Sequence, residues 1–78
     1  MNPRFHITVG SLPTHEELVG DLYFDNQIVC LLTQEQGYQY LQIEIFRPPD
    51  NQPWEFPLSD FEEALSALKT RMWELRRV

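Results

Sequence analysis

The chain has 78 residues and a formal net charge of −6, which suits a single domain spanning 1–78 with one modest core. The acidic balance excludes the basic footprint of a nucleic-acid binder, and no apolar run reaches the roughly 20 residues of a membrane helix. One cysteine cannot close an intrachain disulfide, and one Cys with two His cannot build a four-ligand zinc site. A domain this small is therefore expected to gain support from self-association, in a reducing, cytoplasmic setting.

In chain order, Phe5, Ile7 and Val9 alternate with His6 and Thr8 and predict a first strand. Gly10-Ser11-Leu12-Pro13 ends it, and Thr14-His15-Glu16-Glu17 has the form of a capping box for a short helical turn. Leu18 to Phe24 reads as a second strand with Leu18, Gly20, Leu22 and Phe24 on one face. Asp25-Asn26 signals a turn, followed by a third strand from Gln27 to Gln34. Gln36-Gly37 signals another turn, followed by a fourth strand from Tyr38 to Phe46, with Leu41, Ile43 and Ile45 on one face and Tyr40, Gln42 and Glu44 on the other.

Register follows from the requirement of one apolar face, because a one-residue slip exchanges the faces. A two-residue turn at Gln36-Gly37 sets Leu32 opposite Leu41, Cys30 opposite Ile43 and Ile28 opposite Ile45. At the preceding hairpin, a two-residue turn would oppose Leu22 to Val29. A three-residue loop, Asp25 to Gln27, opposes Leu22 to Cys30 and extends the apolar face, and is the expected form.

Pro48, Pro49, Pro53 and Pro57 make the next segment a stiff connection, in which Trp54 and Phe56 are expected to fold back on the core margin. Ser59 then reads as a helix N-cap with Glu62 completing the box. Phe61, Ala64, Leu65, Leu68, Met72 and Leu75 form one apolar stripe. About 17 residues at about 1.5 Å each match the length of a strand, so this helix can cover one face of the sheet. Lys69, Arg71, Arg76 and Arg77 at its end suit the helix dipole. The expected fold class is α+β: an antiparallel β-meander of three to four strands with one C-terminal amphipathic helix packed on one face.

The other sheet face should then carry Val19, Tyr23, Val29, Leu31 and Tyr40 beside Asp21, Gln42 and Glu44, which is too apolar for a solvated face. Trp73 falls off the helix stripe. These residues mark the expected partner-binding surface: Val19, Asp21, Tyr23, Val29, Leu31, Tyr40, Glu44 and Trp73. Between Phe5 and Phe46 there is no Lys or Arg, while Glu16, Glu17, Asp21, Asp25, Glu35 and Glu44 lie there. That imbalance suits a basic protein partner.

No catalytic, cofactor-binding or metal site is expected. Cys30 sits within Ile-Val-Cys-Leu-Leu, the setting of an inert buried thiol. His6 and His15 have no companion ligands, and Gly10, Gly20 and Gly37 are too far apart for a phosphate-cradling loop.

The run Leu41-Gln42-Ile43-Glu44-Ile45-Phe46, then Pro48-Pro49-Asp50, then Pro53-Trp54-Glu55-Phe56-Pro57-Leu58 and an acidic-start helix resembles small uncharacterised bacterial proteins of the immunity type. The resemblance covers about residues 17 to 75 and implies neutralisation of a toxin by binding it. The leading expectation is a non-enzymatic protein-binding module that forms a homodimer. A structural subunit of a larger assembly is the alternative, and a small-ligand-binding or enzyme fragment using His6, His15 or Cys30 would need a pocket gathering at least two of them.

Overall fold

A computed structural model describes residues 1–76. Four strands, β1 (Phe5–Gly10), β2 (Val19–Phe24), β3 (Gln27–Thr33) and β4 (Gln42–Ile45), form one antiparallel sheet in the order β1-β2-β3-β4. A single helix, α1 (Leu58–Leu75), follows. The α+β meander is the expected one, with all four strands in place.

Alternation on β1 and β2 places Phe5, Ile7 and Val9 opposite Phe24, Leu22 and Gly20 on the helix side. The β2–β3 hairpin solves its register differently from expectation. Its turn has two residues, Asp25 and Asn26, both at positive φ (50° and 64°), as a twist-matched tight turn requires. Phe24 pairs with Gln27 and Tyr23 with Ile28, after which a bulge at Val29 restores Leu22 opposite Cys30. The extra residue lies in the strand, not in the loop. One consequence is an exchange of faces: Ile28, expected among the core residues, pairs with Tyr23 on the far face, and Val29 turns into the core at 1% exposure.

The β3–β4 connection also departs from a tight hairpin. Gly37 takes φ 103°, the glycine-favoured region, and Tyr38–Tyr40 forms a 3-10 turn that is not part of the strand. Tyr38 swings toward the helix, where its hydroxyl donates to the Lys69 carbonyl at 3.1 Å. This extra turn shortens β4 and shifts the pairing by two residues, to Leu32 opposite Ile43 and Cys30 opposite Ile45. A two-residue shift preserves the faces. The expected pairs of Leu32 with Leu41 and Ile28 with Ile45 are not formed. The Thr14–Glu17 segment forms no helix: Thr14 sits in a turn closed by His15 N–H donating to the Leu12 carbonyl at 3.1 Å, and Glu16 and Glu17 make a bend.

The core joins Phe5, Leu22, Phe24, Val29, Cys30 and Leu32 of the sheet to Ala64, Leu68 and Met72 of α1. Gly20 sits directly beneath the helix: a Cβ there would stand 2.7 Å from Met72 Sδ and 2.9 Å from Leu68 Cδ1. The missing side chain is what allows α1 to approach β2 so closely. Phe56 folds back as expected, its ring 5.2 Å from Phe5, 5.0 Å from Phe24 and 5.1 Å from Phe61. Trp54 joins it, its indole N–H donating to the Phe46 carbonyl at 2.7 Å.

The helix begins before the expected cap. Pro57 is the N-cap residue, and its carbonyl accepts from Phe61 N–H at 3.1 Å. Ser59 lies inside the first turn, so no capping box forms. Proline supplies a fixed φ that directs the chain into a helix without a side-chain acceptor. At the other end, Arg76 donates to the Trp73 carbonyl from both its backbone N–H (3.3 Å) and its guanidinium (2.5 Å). Lys69 and Arg71 lie on the helix, and Arg77 lies outside the described residues.

Candidate binding surface

Four strands about 4.8 Å apart present a face roughly 15–20 Å wide, and a helix with its side chains covers about 10 Å. One helix therefore covers about half of this sheet. Here α1 lies over β1 and β2, and the half left open is β4 with the adjoining margin of β3. Ile43 and Ile45 point to the helix side yet are 47% and 63% exposed. Between β4 and the helix runs a cleft of about 400 Å³ lined by Leu32, Tyr38, Gln39, Leu41, Ile43, Leu65 and Lys69.

Aromatic groups bound this open channel at both ends. At one, Trp54 and Phe56 cross from β4 toward Phe24 and Phe5. At the other, the Tyr38 and Trp73 rings pack 5.0 Å apart, and the Arg76 guanidinium lies 3.3 Å above the Trp73 ring.

The edge of β4 is open as well. Phe46 N–H donates to Val29 C=O at 2.8 Å, which makes Phe46–Val29 a hydrogen-bonded pair in the β3–β4 register. Ladder bonds alternate along an antiparallel pair, so Glu44 and Gln42 bond to β3 while the N–H and C=O groups of Ile43 and Ile45 point outward.

The expected partner-binding residues divide into separate groups. Asp21, Tyr23, Leu31 and Glu44 do share the sheet face away from the helix, with Leu31 directly opposite both Asp21 and Glu44. Asp21 accepts from the Thr8 hydroxyl at 3.0 Å, and Tyr23 lies beside His6 with ring centroids 6.2 Å apart. Val19 and Val29 do not belong to an exposed surface. Val19 is buried at 2%, next to the Leu18 carbonyl held by Gln34 Nε2 at 3.0 Å, and Val29 is drawn into the core by the bulge. Tyr40, in the 3-10 turn, is exposed at 61% and belongs to no strand face. Trp73 remains 46% exposed at the end of the channel. Tyr23, Ile28 and Leu31 are half-buried, so the exposed apolar surface lies on the helix side and not on the far face.

Sequence reasoning overlooked Ile43 and Ile45 as surface groups because it assigned them to the covered core. The signal was present in the count of elements, since one helix cannot cover four strands.

Cys30 is fully buried, and burial pushes its thiol up to about 11 from 9.0. His6 is exposed on the face away from the helix, whereas Cys30 faces the core and His15 lies in the β1–β2 loop. A second concavity, lined by Glu17, Gln34, Glu35, Gly37, Tyr38 and Arg76, contains none of these three, and neither does the channel. Among the described residues, no group of three or more His, Cys, Asp or Glu is placed to hold a metal ion, and no helix is long and apolar enough to cross a membrane. Comparison with protein-family models, curated proteins and solved structures finds no match.

Proposed function

We propose that the protein is a non-enzymatic binding module that takes hold of another polypeptide through the open half of its helix-side sheet face. The observation that carries this reading is the exposure of Ile43 and Ile45 beside a largely aliphatic cleft with Gln39 and Lys69 at its rim, the backbone of the same two isoleucines pointing outward. A contiguous apolar patch joined to an unpaired strand edge suits protein recognition, in which main-chain bonds give affinity and side-chain pockets give specificity. The buried, protonated thiol of Cys30 and the separation of His6 from the channel favour binding over catalysis. A reducing cytoplasmic home suits the free thiol.

Selection of displayed peptides against the native protein tests the reading. Apolar sequences should be enriched, and their binding should be lost with Leu65→Lys or Ile45→Lys while circular dichroism stays unchanged. Peptides that bind both variants as well as the native protein would sink it.

A second reading draws on the opposite face, where Asp21 and Glu44 lie on strands without a single Lys or Arg. That face suits a basic partner, as in toxin neutralisation by immunity-type proteins. Such binding should weaken steeply as salt is raised.

A further inference from the structure

We propose that the first occupant of the β4 edge is a second copy of this chain, paired antiparallel so that Ile43 meets Ile43 across a twofold axis. The inference rests on the reading of the open channel as a binding surface: the second copy takes the main-chain edge, and a further polypeptide is left the apolar trough that the pair encloses.

Three observations carry it. The outward N–H and C=O groups of Ile43 and Ile45 offer a ready template for another strand, which an apolar surface alone would not. The strand is short and carries one charge, Glu44 on the far face, but Gln42–Ile45 contains no Lys or Pro and pairs with β3 without a bulge, so nothing in its backbone blocks a further strand. Third, the edge is self-complementary in one register. With Ile43 opposite Ile43, each Gln42 faces the Glu44 of the other copy, and each Leu41 faces Ile45. With Glu44 opposite Glu44, two like charges would stand directly across the pair, which is unfavourable. With Ile45 opposite Ile45, the pairing would run into Arg47 and Pro48, beyond the end of the strand.

In the favoured register the twofold axis is perpendicular to the sheet, so the two helices lie on the same side. They form the walls of one trough, and the floor combines Leu32, Ile43 and Ile45 from both copies. Each copy alone supplies one wall and half the floor, so the binding surface is complete only in the pair.

Sedimentation equilibrium of the full chain, over a range of protein concentration and salt, tests the proposal. A monomer–dimer equilibrium is expected. Because both copies carry the same net charge of −6, added salt should tighten the dimer, whereas binding of a basic partner should respond in the opposite sense. Ile43→Pro removes an outward N–H and no β3–β4 bond, and should yield a folded monomer. Gln42→Lys places opposite charges across the pair twice and should tighten association several-fold, while Gln42→Glu should loosen it. Should Ile43→Pro fail to fold, the opposed effects of the two Gln42 variants decide. A native monomer at all concentrations, or a dimer indifferent to Gln42, overturns the proposal. If that monomer still binds the selected peptides through Leu65 and Ile45, the binding-module reading survives alone; if it binds none, both fall.

Discussion

At the scale of single residues, Gly20 is the position with least room for change. Any side chain there meets Met72 and Leu68 at distances below van der Waals contact, so Gly20→Ala should lose about 1–3 kcal/mol of stability by forcing the helix outward. Gly10 meets nothing within 4 Å, so Gly10→Ala should be nearly neutral, and paired urea titrations compare the two. Cys30 makes a pH-dependent contribution whose sign can be worked out. Its native pKa is raised to about 11 from 9.0, so the unfolded chain releases the proton first as pH rises. The stabilisation is intact below about pH 9 and is lost between there and about 11. Native protein should accordingly lose stability over that interval more steeply than a Cys30→Ala variant, as measured by denaturant midpoints at matched pH. Asp25 behaves in the opposite sense: its hydrogen bond with the Arg4 guanidinium holds its carboxyl below the usual range, so any stabilisation is present at neutral pH and lost in acid. Both groups are largely exposed, and the effect should be small.

At the scale of elements, the capped helix illustrates how a sound local pattern can be displaced by a neighbour. Ser59-x-x-Glu62 has the composition of a capping box, yet Pro57 two residues earlier takes the cap position with no side-chain bond. Ser59→Ala should therefore change the thermal midpoint only slightly, in place of the roughly 1 kcal/mol that loss of a true N-cap costs. The strands that alternation predicts, β1 and β2, agree with the structure to within a residue. The turns were legible as turns, but their internal geometry was not. A two-residue turn at Asp25-Asn26 by itself opposes Leu22 to Val29, and the bulge at Val29 is what brings Leu22 opposite Cys30, the pair the three-residue loop was expected to give. The bulge gives up one regular rung of the ladder and gains burial of Val29, a side chain whose full burial is worth about 1.5–3 kcal/mol. Tyr38 makes the same point. Its alternation fits a strand, but a hydroxyl partner on Lys69 and a ring partner in Trp73 draw it to the helix.

At the scale of the whole molecule, the fold class was readable and the location of the open surface was not. Asp21, Tyr23, Leu31 and Glu44 share a face as their alternation requires. What sequence periodicity cannot convey is lateral placement: it says which side of the sheet the helix takes, and not which strands it covers. Docking over β1 and β2, fixed by the gap at Gly20, leaves Ile43 and Ile45 uncovered. Filling that gap should have a global effect beyond the local loss of stability. A helix displaced from Gly20 should expose more apolar surface, and a Gly20→Ala variant should bind an apolar dye more strongly than the native protein.

The two tryptophans stand at opposite ends of the open channel, in unlike surroundings. Trp54 is half-buried and hydrogen-bonded to the chain, while Trp73 is exposed beneath a guanidinium. The molecule thus contains two intrinsic optical reporters. With Trp54→Phe the remaining emission belongs to the Trp73 end, and with Trp73→Phe it belongs to the Trp54 end. An occupant lying along the whole channel should alter both emissions, whereas one seated at a single end should alter only the nearer, so the extent of contact can be read without attaching a label.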